Sequence, residues 1–193
     1  FWIPLAIPFL ALFLGALLSA TYQYQLEGRE HRFIRTAFRQ YLSSDVIEQI
    51  VANPSLLALG GERREITIFF SDIAGFTSLS EKLDPQQLVA LLNRYLSAMT
   101  DIILDCGGTL DKYVGDAILS IWNAPIKTPD HALQAVQAAL RCKQKLSELQ
   151  QEFASEFGTQ LNARIGVNSG IGVVGNFGSE QLFDFTVIVD AVI

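Results

Sequence analysis

The sequence predicts an α+β fold of ferredoxin-like topology (βαββαβ), preceded by a transmembrane helix and a helical linker. Three observations carry this. The chain opens on an uncharged apolar run long enough to cross a bilayer core. From Arg64 onward, short β-rich apolar runs alternate with two long segments of helical periodicity. Glycine pairs and an Asp-Pro punctuate those segments where turns and helix starts are needed.

Taken in order, the run FWIPLAIPFLALFLGALLSA continues through Thr21-Tyr22, and residues 1–24 are assigned to the membrane helix. A signal peptide would carry a basic segment before the run and an A-x-A site after it; neither is present. The run begins at residue 1 without a methionine, so the expectation is a piece cut inside or just before a membrane helix. Arg29, Arg32, Arg35 and Arg39 follow on one helical face, and positive residues directly after a span mark the cytoplasmic side. A solvated helix face is the alternative; both can hold, and the cytoplasmic reading is favoured. Residues 25–61 form the linker. Asp45 and Glu48 resemble a capping box for a short helix that Asn53-Pro54 ends, and Gly60-Gly61 closes the linker.

Residues 62–193 form the globular domain. Ile66–Phe70 reads as a buried central strand, and Ser71–Thr77 as a glycine-containing turn. Asp84-Pro85 starts a helix to about Cys106, stopped by Gly107-Gly108. Thr109–Val114 and Ala117–Trp122 read as a hairpin around Gly115-Asp116. Asp130 opens a second helix through about Phe157. Leu161–Asn168, Ile171–Val174 and Phe183–Val189 read as further strands.

Composition excludes several functions. A net charge of −6 gives no field for nucleic acid, so a phosphate substrate needs metal ions or a local basic group. Cys106 and Cys142, with no Cys-x-x-Cys, support neither a disulfide scaffold nor a zinc site and fit a reducing compartment. His31 and His131 lack partners at metal-ligand spacing and read as surface or helix-face residues.

Two carboxylates stand out by position. Asp72 lies where the buried strand runs into the glycine turn, and Asp116 lies at the hairpin turn. In a ferredoxin-like sheet the first strand neighbours that hairpin, so the two can converge at one sheet edge. Convergent carboxylates suit a hard cation such as Mg²⁺. An aspartate at a strand end is also a common turn former, and that reading stays open for each alone. The loop Ile73, Ala74, Gly75, Phe76 and Thr77 offers backbone N–H groups that suit phosphate, or is a plain surface turn. Lys112 lies roughly 13 Å along an extended strand from Asp116. That is too far for both to grip one phosphate and closer to the base-to-phosphate distance of a nucleotide; a surface lysine on an edge strand is the alternative.

Four blocks then occur in a telling order: FFSDIAGFTSLSE, GGTLDKYVGDAILSIWNAP, ARIGVNSGIGVVGNFGS and FDFTVIVDAV. In that order they resemble class III adenylyl and guanylyl cyclases. REHRFIRTAFRQYLSSDVIEQIVANPSLLALGGERRE resembles the linker of bacterial forms that carry a CHASE2 sensor and membrane helices. The resemblance implies conversion of ATP to 3′,5′-cyclic AMP and pyrophosphate in intracellular signalling. Asp72 and Asp116 would hold two Mg²⁺ (or Mn²⁺) ions, with the Ile73 carbonyl as a further ligand. Residues 73–77 would hold the triphosphate, and Lys112 with Thr186 would read adenine. Guanylyl cyclases usually carry Glu and Cys at those two places. The metal and base-reading residues of one site come from different subunits, so a homodimer is implied. The implied location is the inner (plasma) membrane, with the cyclase domain cytoplasmic and no nucleic-acid partner.

Three departures accompany the resemblance. Val189 stands where the family usually has Gly, and Ile193 where it has the Asn that orients the ribose. An Arg that stabilises phosphate charge would fall four residues beyond Ile193. The chain alone is therefore expected to be catalytically dead or nearly so. The rival readings are a guanylyl cyclase, against which Lys112 and Thr186 argue, and an inactive membrane-tethered dimerisation or nucleotide-sensing module. A diguanylate cyclase is disfavoured because no GG[DE]EF stretch occurs.

Overall fold

The computed structural model describes residues 12–14, 60–179 and 183–189. The chain divides into two compact units, Phe1–Gln40 and Tyr41–Ile193, and the fold below belongs to the second. Residues 12–14 are helical. The remainder of the expected membrane helix and the linker helices lie outside the described residues. Among the described residues no helix is long and apolar enough to cross a membrane.

The elements are β1 (Gly60–Ile73), α1 (Phe76–Ser80), α2 (Pro85–Asp105), β2 (Thr109–Val114), β3 (Ala117–Trp122), α3 (His131–Phe157), β4 (Ala163–Gly178) and β5 (Phe183–Val189). They build a five-stranded antiparallel sheet in the order β2-β3-β1-β4-β5. The first four strands with α2 and α3 give the expected βαββαβ order, and β5 is added beside β4.

Local signals start and stop the helices as the sequence suggests. Asp84 caps α2, its carboxylate accepting from the N–H groups of Gln86 (2.9 Å) and Gln87 (3.2 Å), with Pro85 at the first helical position. Gly107, at φ 74°, ends it with the N–H of Gly108 donating to the Ile103 carbonyl. α2 buries Leu91, Tyr95, Met99 and Ile103 on one stripe; α3 buries Ala135, Ala138, Cys142, Leu146, Leu149, Phe153 and Phe157. Both stripes meet Phe69, Ile73, Ile118 and Trp122 of the sheet in one core. Each fully buried large side chain there contributes about 1.5–3 kcal/mol. Burial also pushes the Tyr95 phenol up to about 12, so it stays protonated at neutral pH.

A second, smaller core contains no helical residue among the described residues. Ile66, Ile68, Ile121, Ala124 and Val174 are buried in it, with Leu119, Phe185, Val187 and Val189 packed against them. Val189, the departure from the family's Gly, is thus a packing residue. This core holds β5 in place although, among the described residues, β4 is its only neighbour in the sheet.

The strands differ from the sequence reading in three ways. The expected strands Leu161–Asn168 and Ile171–Val174 are one continuous strand, β4. β1 offers it a partner for every residue from Ala163 to Asn176, and Gly170 stays in the ladder opposite Ile66. Ile66–Phe70 likewise extends both ways, to Gly60 and Ile73. The expected turn Ser71–Thr77 is divided: Ser71, Asp72 and Ile73 remain in β1 and Phe76 already begins α1. His131 lies on α3, in keeping with a helix-face residue. It is half-buried, its Nδ1 lying 2.7 Å from the Thr67 hydroxyl, which itself meets the Ser169 hydroxyl at 2.7 Å.

Glycines admit the close approach of β1 and β4 at the far end of this ladder. A Cβ on Gly175 would lie 1.9 Å from the Gly60 carbonyl oxygen, a backbone atom with no side-chain freedom to yield. Gly175→Ala is therefore expected to destabilise the domain by about 1–3 kcal/mol or more, as overpacking does. Urea unfolding of both proteins measures this; an unchanged midpoint would show that the β4–β5 end is not packed as described.

Candidate active site

The sheet brings Asp72 and Asp116 together by two independent routes. β1 pairs with β3 so that Ser71 faces Ile118, which sets Asp72 beside the start of β3. The tip of the β2–β3 hairpin then bonds back to β1: the Ile73 N–H donates to Asp116 Oδ2 at 2.9 Å. A two-residue loop makes this tip possible. Gly115 has φ 66°, and Asp116 has no positive φ, the pattern of a type II′ hairpin with Gly first. The Tyr95 phenol, buried below, feels both carboxylates, whose negative charges add to the rise in its pKa.

Asp72 has a partner that the sequence reading did not include. Arg164 sits opposite it in the β1–β4 register. Its Nε donates to Asp72 Oδ1 at 2.9 Å and a terminal nitrogen donates to Oδ2, a two-pronged ion pair. Asp72 holds the Arg164 guanidinium pKa above its ordinary value, first through the hydrogen bonds and then through charge. The Arg164 side chain is 72% exposed; that of Asp72 is 27% exposed. Asp72 thus has a basic neighbour across the strand pair. The signal was the strand pairing, which a single strand's sequence does not display.

The loop after β1 has fewer open donors than expected. The Ile73 N–H is committed to Asp116, and the Ala74 N–H donates to the Asn162 carbonyl at 2.7 Å. Gly75 takes the left-handed conformation (φ 74°, ψ 25°) that turns the chain into α1. Gly75, Phe76 and Thr77 carry the N–H groups at the opening of α1, where a helix has no internal acceptors for them.

Lys112 and Thr186 lie on β2 and β5, the two edges of the sheet, and still converge. The Thr186 hydroxyl donates to Asp111 Oδ2 at 2.8 Å, and Lys112 Nζ lies 3.6 Å from Asp111 Oδ1. The Lys112 side chain is 42% exposed; that of Asp111 is 1% exposed. Asp111, too, was absent from the sequence reading. A bulge explains its position: Leu110 pairs with Ser120 and Lys112 with Leu119, so Asp111 is the extra residue. Bulges re-aim side chains, and this one lets consecutive residues meet. Ile193 lies outside the described residues.

Hard cations fit the donor set at Asp72. Asp72 and Asp116 offer carboxylate oxygens, and Mg²⁺ takes one or two carboxylates and completes its shell with water and substrate phosphate. Among the described residues no group of three or more His, Cys, Asp or Glu side chains forms a self-sufficient cage. A shallow pocket of about 340 Å³ lined by Arg63, Ile171, Gly172, Val173, Ile188 and Val189 contains none of these groups.

Comparison with known proteins bears on this geometry. The family model for the adenylate and guanylate cyclase catalytic domain matches residues 61–187. Among solved structures, the guanylyl cyclase Cya2 is 43% identical over 68% of this chain and 67% of its own, with a TM-score of 0.65. The adenylyl cyclase CyaB from P. aeruginosa is 38% identical over 68% and 69%, with a TM-score of 0.66. An adenylate cyclase of Anabaena cylindrica is 32% identical over 83% of this chain and 31% of its own length. The chain spans less than a third of the first curated relatives it matches.

Arg164 competes with any cation for Asp72, which yields a prediction. Arg164→Ala should tighten Mn²⁺ binding in the absence of nucleotide by about two- to fivefold, the scale of an exposed ion pair. Asp72→Asn should weaken it. Titration followed by Mn²⁺ paramagnetic resonance measures both, and equal affinity in Arg164→Ala and wild type would remove Arg164 from the site.

Proposed function

Because this chain belongs to the adenylate and guanylate cyclase catalytic-domain family, we propose that it is the catalytic part of an enzyme that converts ATP to 3′,5′-cyclic AMP and pyrophosphate. The observation that carries the choice of ATP is the meeting of Lys112 and Thr186 at Asp111. Identity to whole domains does not separate the substrates, since a guanylyl and an adenylyl cyclase resemble the chain to similar degrees. The residues at the two base-reading positions support ATP. Lys112 and Thr186 stand where guanylyl cyclases usually have Glu and Cys.

In this reading the ribose 3′-oxygen attacks the α-phosphorus in line. The new O3′–P bond closes the ring while the bond from the α-phosphorus to the bridging oxygen breaks, releasing pyrophosphate. Asp72, Asp116 and the Ile73 carbonyl hold two Mg²⁺ or Mn²⁺ ions. When bound, these lower the pKa of the attacking hydroxyl and neutralise charge on the phosphates. The N–H groups of Gly75, Phe76 and Thr77 orient the triphosphate. Arg164 keeps Asp72 neutralised until a cation replaces it. No side chain is assigned as general base.

The same proposal takes in the setting of the domain. The metal-holding and base-reading groups of one site belong to two copies of the chain, which makes the active enzyme a homodimer. Residues 1–24 tether it to the inner membrane with the cyclase on the cytoplasmic side, downstream of a CHASE2-type sensor. The uncharged N-terminal run and the arginines after it support this. Protection of the cyclase from protease added on the cytoplasmic face of sealed vesicles would refute the orientation.

Two experiments test the chemistry. In a chain completed through the positions of the ribose-orienting Asn and the phosphate-facing Arg, Asp72→Ala or Asp116→Ala should lower cyclic AMP formation by about 10³-fold or more while thermal unfolding stays cooperative, because each removes a charge-holding group at the reacting phosphate. Full turnover in either variant with Mg²⁺ as sole cation would refute the two-aspartate scheme. Mixing Asp72→Ala with Lys112→Ala subunits in equal amounts should restore about a quarter of wild-type activity. Half the dimers are then mixed, and each holds one intact site of two. Absence of recovery in confirmed mixed dimers would place the whole site within one subunit.

A further inference from the structure

We propose that Asp111 sets the base preference of the nucleotide site by fixing the direction in which Thr186 hydrogen-bonds. The inference rests on the reading of Lys112 and Thr186 as the base-reading pair. A threonine hydroxyl has one O–H donor and two acceptor lone pairs, so alone it satisfies either kind of purine substituent. Here the donor is taken: Thr186 Oγ1 donates to Asp111 Oδ2 at 2.8 Å. An ionised carboxylate only accepts, so the two cannot exchange roles. The Asp111 side chain is 1% exposed, which excludes water as a substitute partner. Thr186 therefore presents only lone pairs.

Lys112 supplies the other half. Its ammonium has three donors and no acceptor, and Asp111 Oδ1 at 3.6 Å anchors it beside Thr186. The pair thus shows one acceptor next to one donor. Adenine offers the complement on its pairing edge, an N6 amino donor beside the N1 acceptor. Guanine offers the inverse, an O6 acceptor beside an N1–H donor. Guanine would set O6 against the Thr186 lone pairs and N1–H against the Lys112 ammonium, and buried polar groups left unpaired discriminate strongly. Without Asp111 the hydroxyl could turn and donate to O6. The bulge at Asp111 is what allows one carboxylate to serve both neighbours. Asp111 touches no substrate in this account; it is a positioning residue.

The experiment measures calorimetric binding of the α,β-methylene analogues of ATP and GTP, which cannot be cyclised, to the protein with Mg²⁺. The readout is the ratio of the two affinities. Asp111→Asn adds a donor facing Thr186 and releases its hydroxyl, so the preference for the adenine analogue should fall about tenfold or more, with the guanine analogue binding more tightly. Asp111→Glu keeps an acceptor-only carboxylate and should keep the preference, as should Thr186→Ser. In a Thr186→Val background, Asp111→Asn should change the ratio no further. A merely structural Asp111 would weaken both analogues alike and leave the ratio unchanged, which would overturn the proposal. If Thr186→Val and Lys112→Ala themselves leave the ratio unchanged, the base-reading assignment fails, and this inference fails with it.

Discussion

The uninterrupted ladder between β1 and β4 is the constraint on which the rest depends. Fourteen residue pairs, from Gly60 with Asn176 to Ile73 with Ala163, satisfy the backbone of the two central strands. One end of that ladder lies under α2 and α3 and delivers Asp72, Ile73 and, opposite them, Arg164. The other end carries β5, and with it Thr186. Register is not adjustable here, because a one-residue slip would move Phe69 out of the helix-covered core and expose it. The same register that buries Phe69 sets Arg164 against Asp72.

Two cores divide the work of holding this sheet. The larger one gives the domain its helical layer; the smaller one, built on Ile66, Ile68, Ile121 and Val174, ties β5 to strands it does not neighbour. Glycines at 172 and 175 are needed at that end because side chains there would meet Val187, Val189 or the Gly60 backbone. The result is that two edge strands exchange a hydrogen bond, Thr186 to Asp111, that an open flat sheet would forbid. Electrostatics follows the same division. The chain is acidic overall, yet two of the carboxylates of interest have a cation beside them, Arg164 for Asp72 and Lys112 for Asp111. Local pairing, not net charge, makes the protein suited to an anionic nucleotide.

Much of the fold was legible because it is written in local chemistry. The cap at Asp84-Pro85, the stop at Gly107-Gly108, the Gly115-Asp116 hairpin and the buried stripes of α2 and α3 all stand where periodicity and turn residues put them. The strand ends were less legible. Gly170 reads as a break in isolation, and only the continuous partner strand β1 shows that the ladder runs through it. His131 reads as a surface residue until Thr67, far away in sequence, is seen to meet it.

By itself the sequence determined the α+β order of elements, the family resemblance in four ordered blocks, and the candidate residues Asp72, Asp116, Lys112 and Thr186. Each rests on spacing or residue type within a short stretch, and short-range physics is enough to read it. Only the tertiary structure decided what stands next to them. Arg164 reaches Asp72 through strand register, and Asp111 reaches Thr186 through a bulge on one edge strand and a second core beneath the other. Both depend on non-local pairing, where a shift of one residue changes every contact, and no window of sequence contains that information.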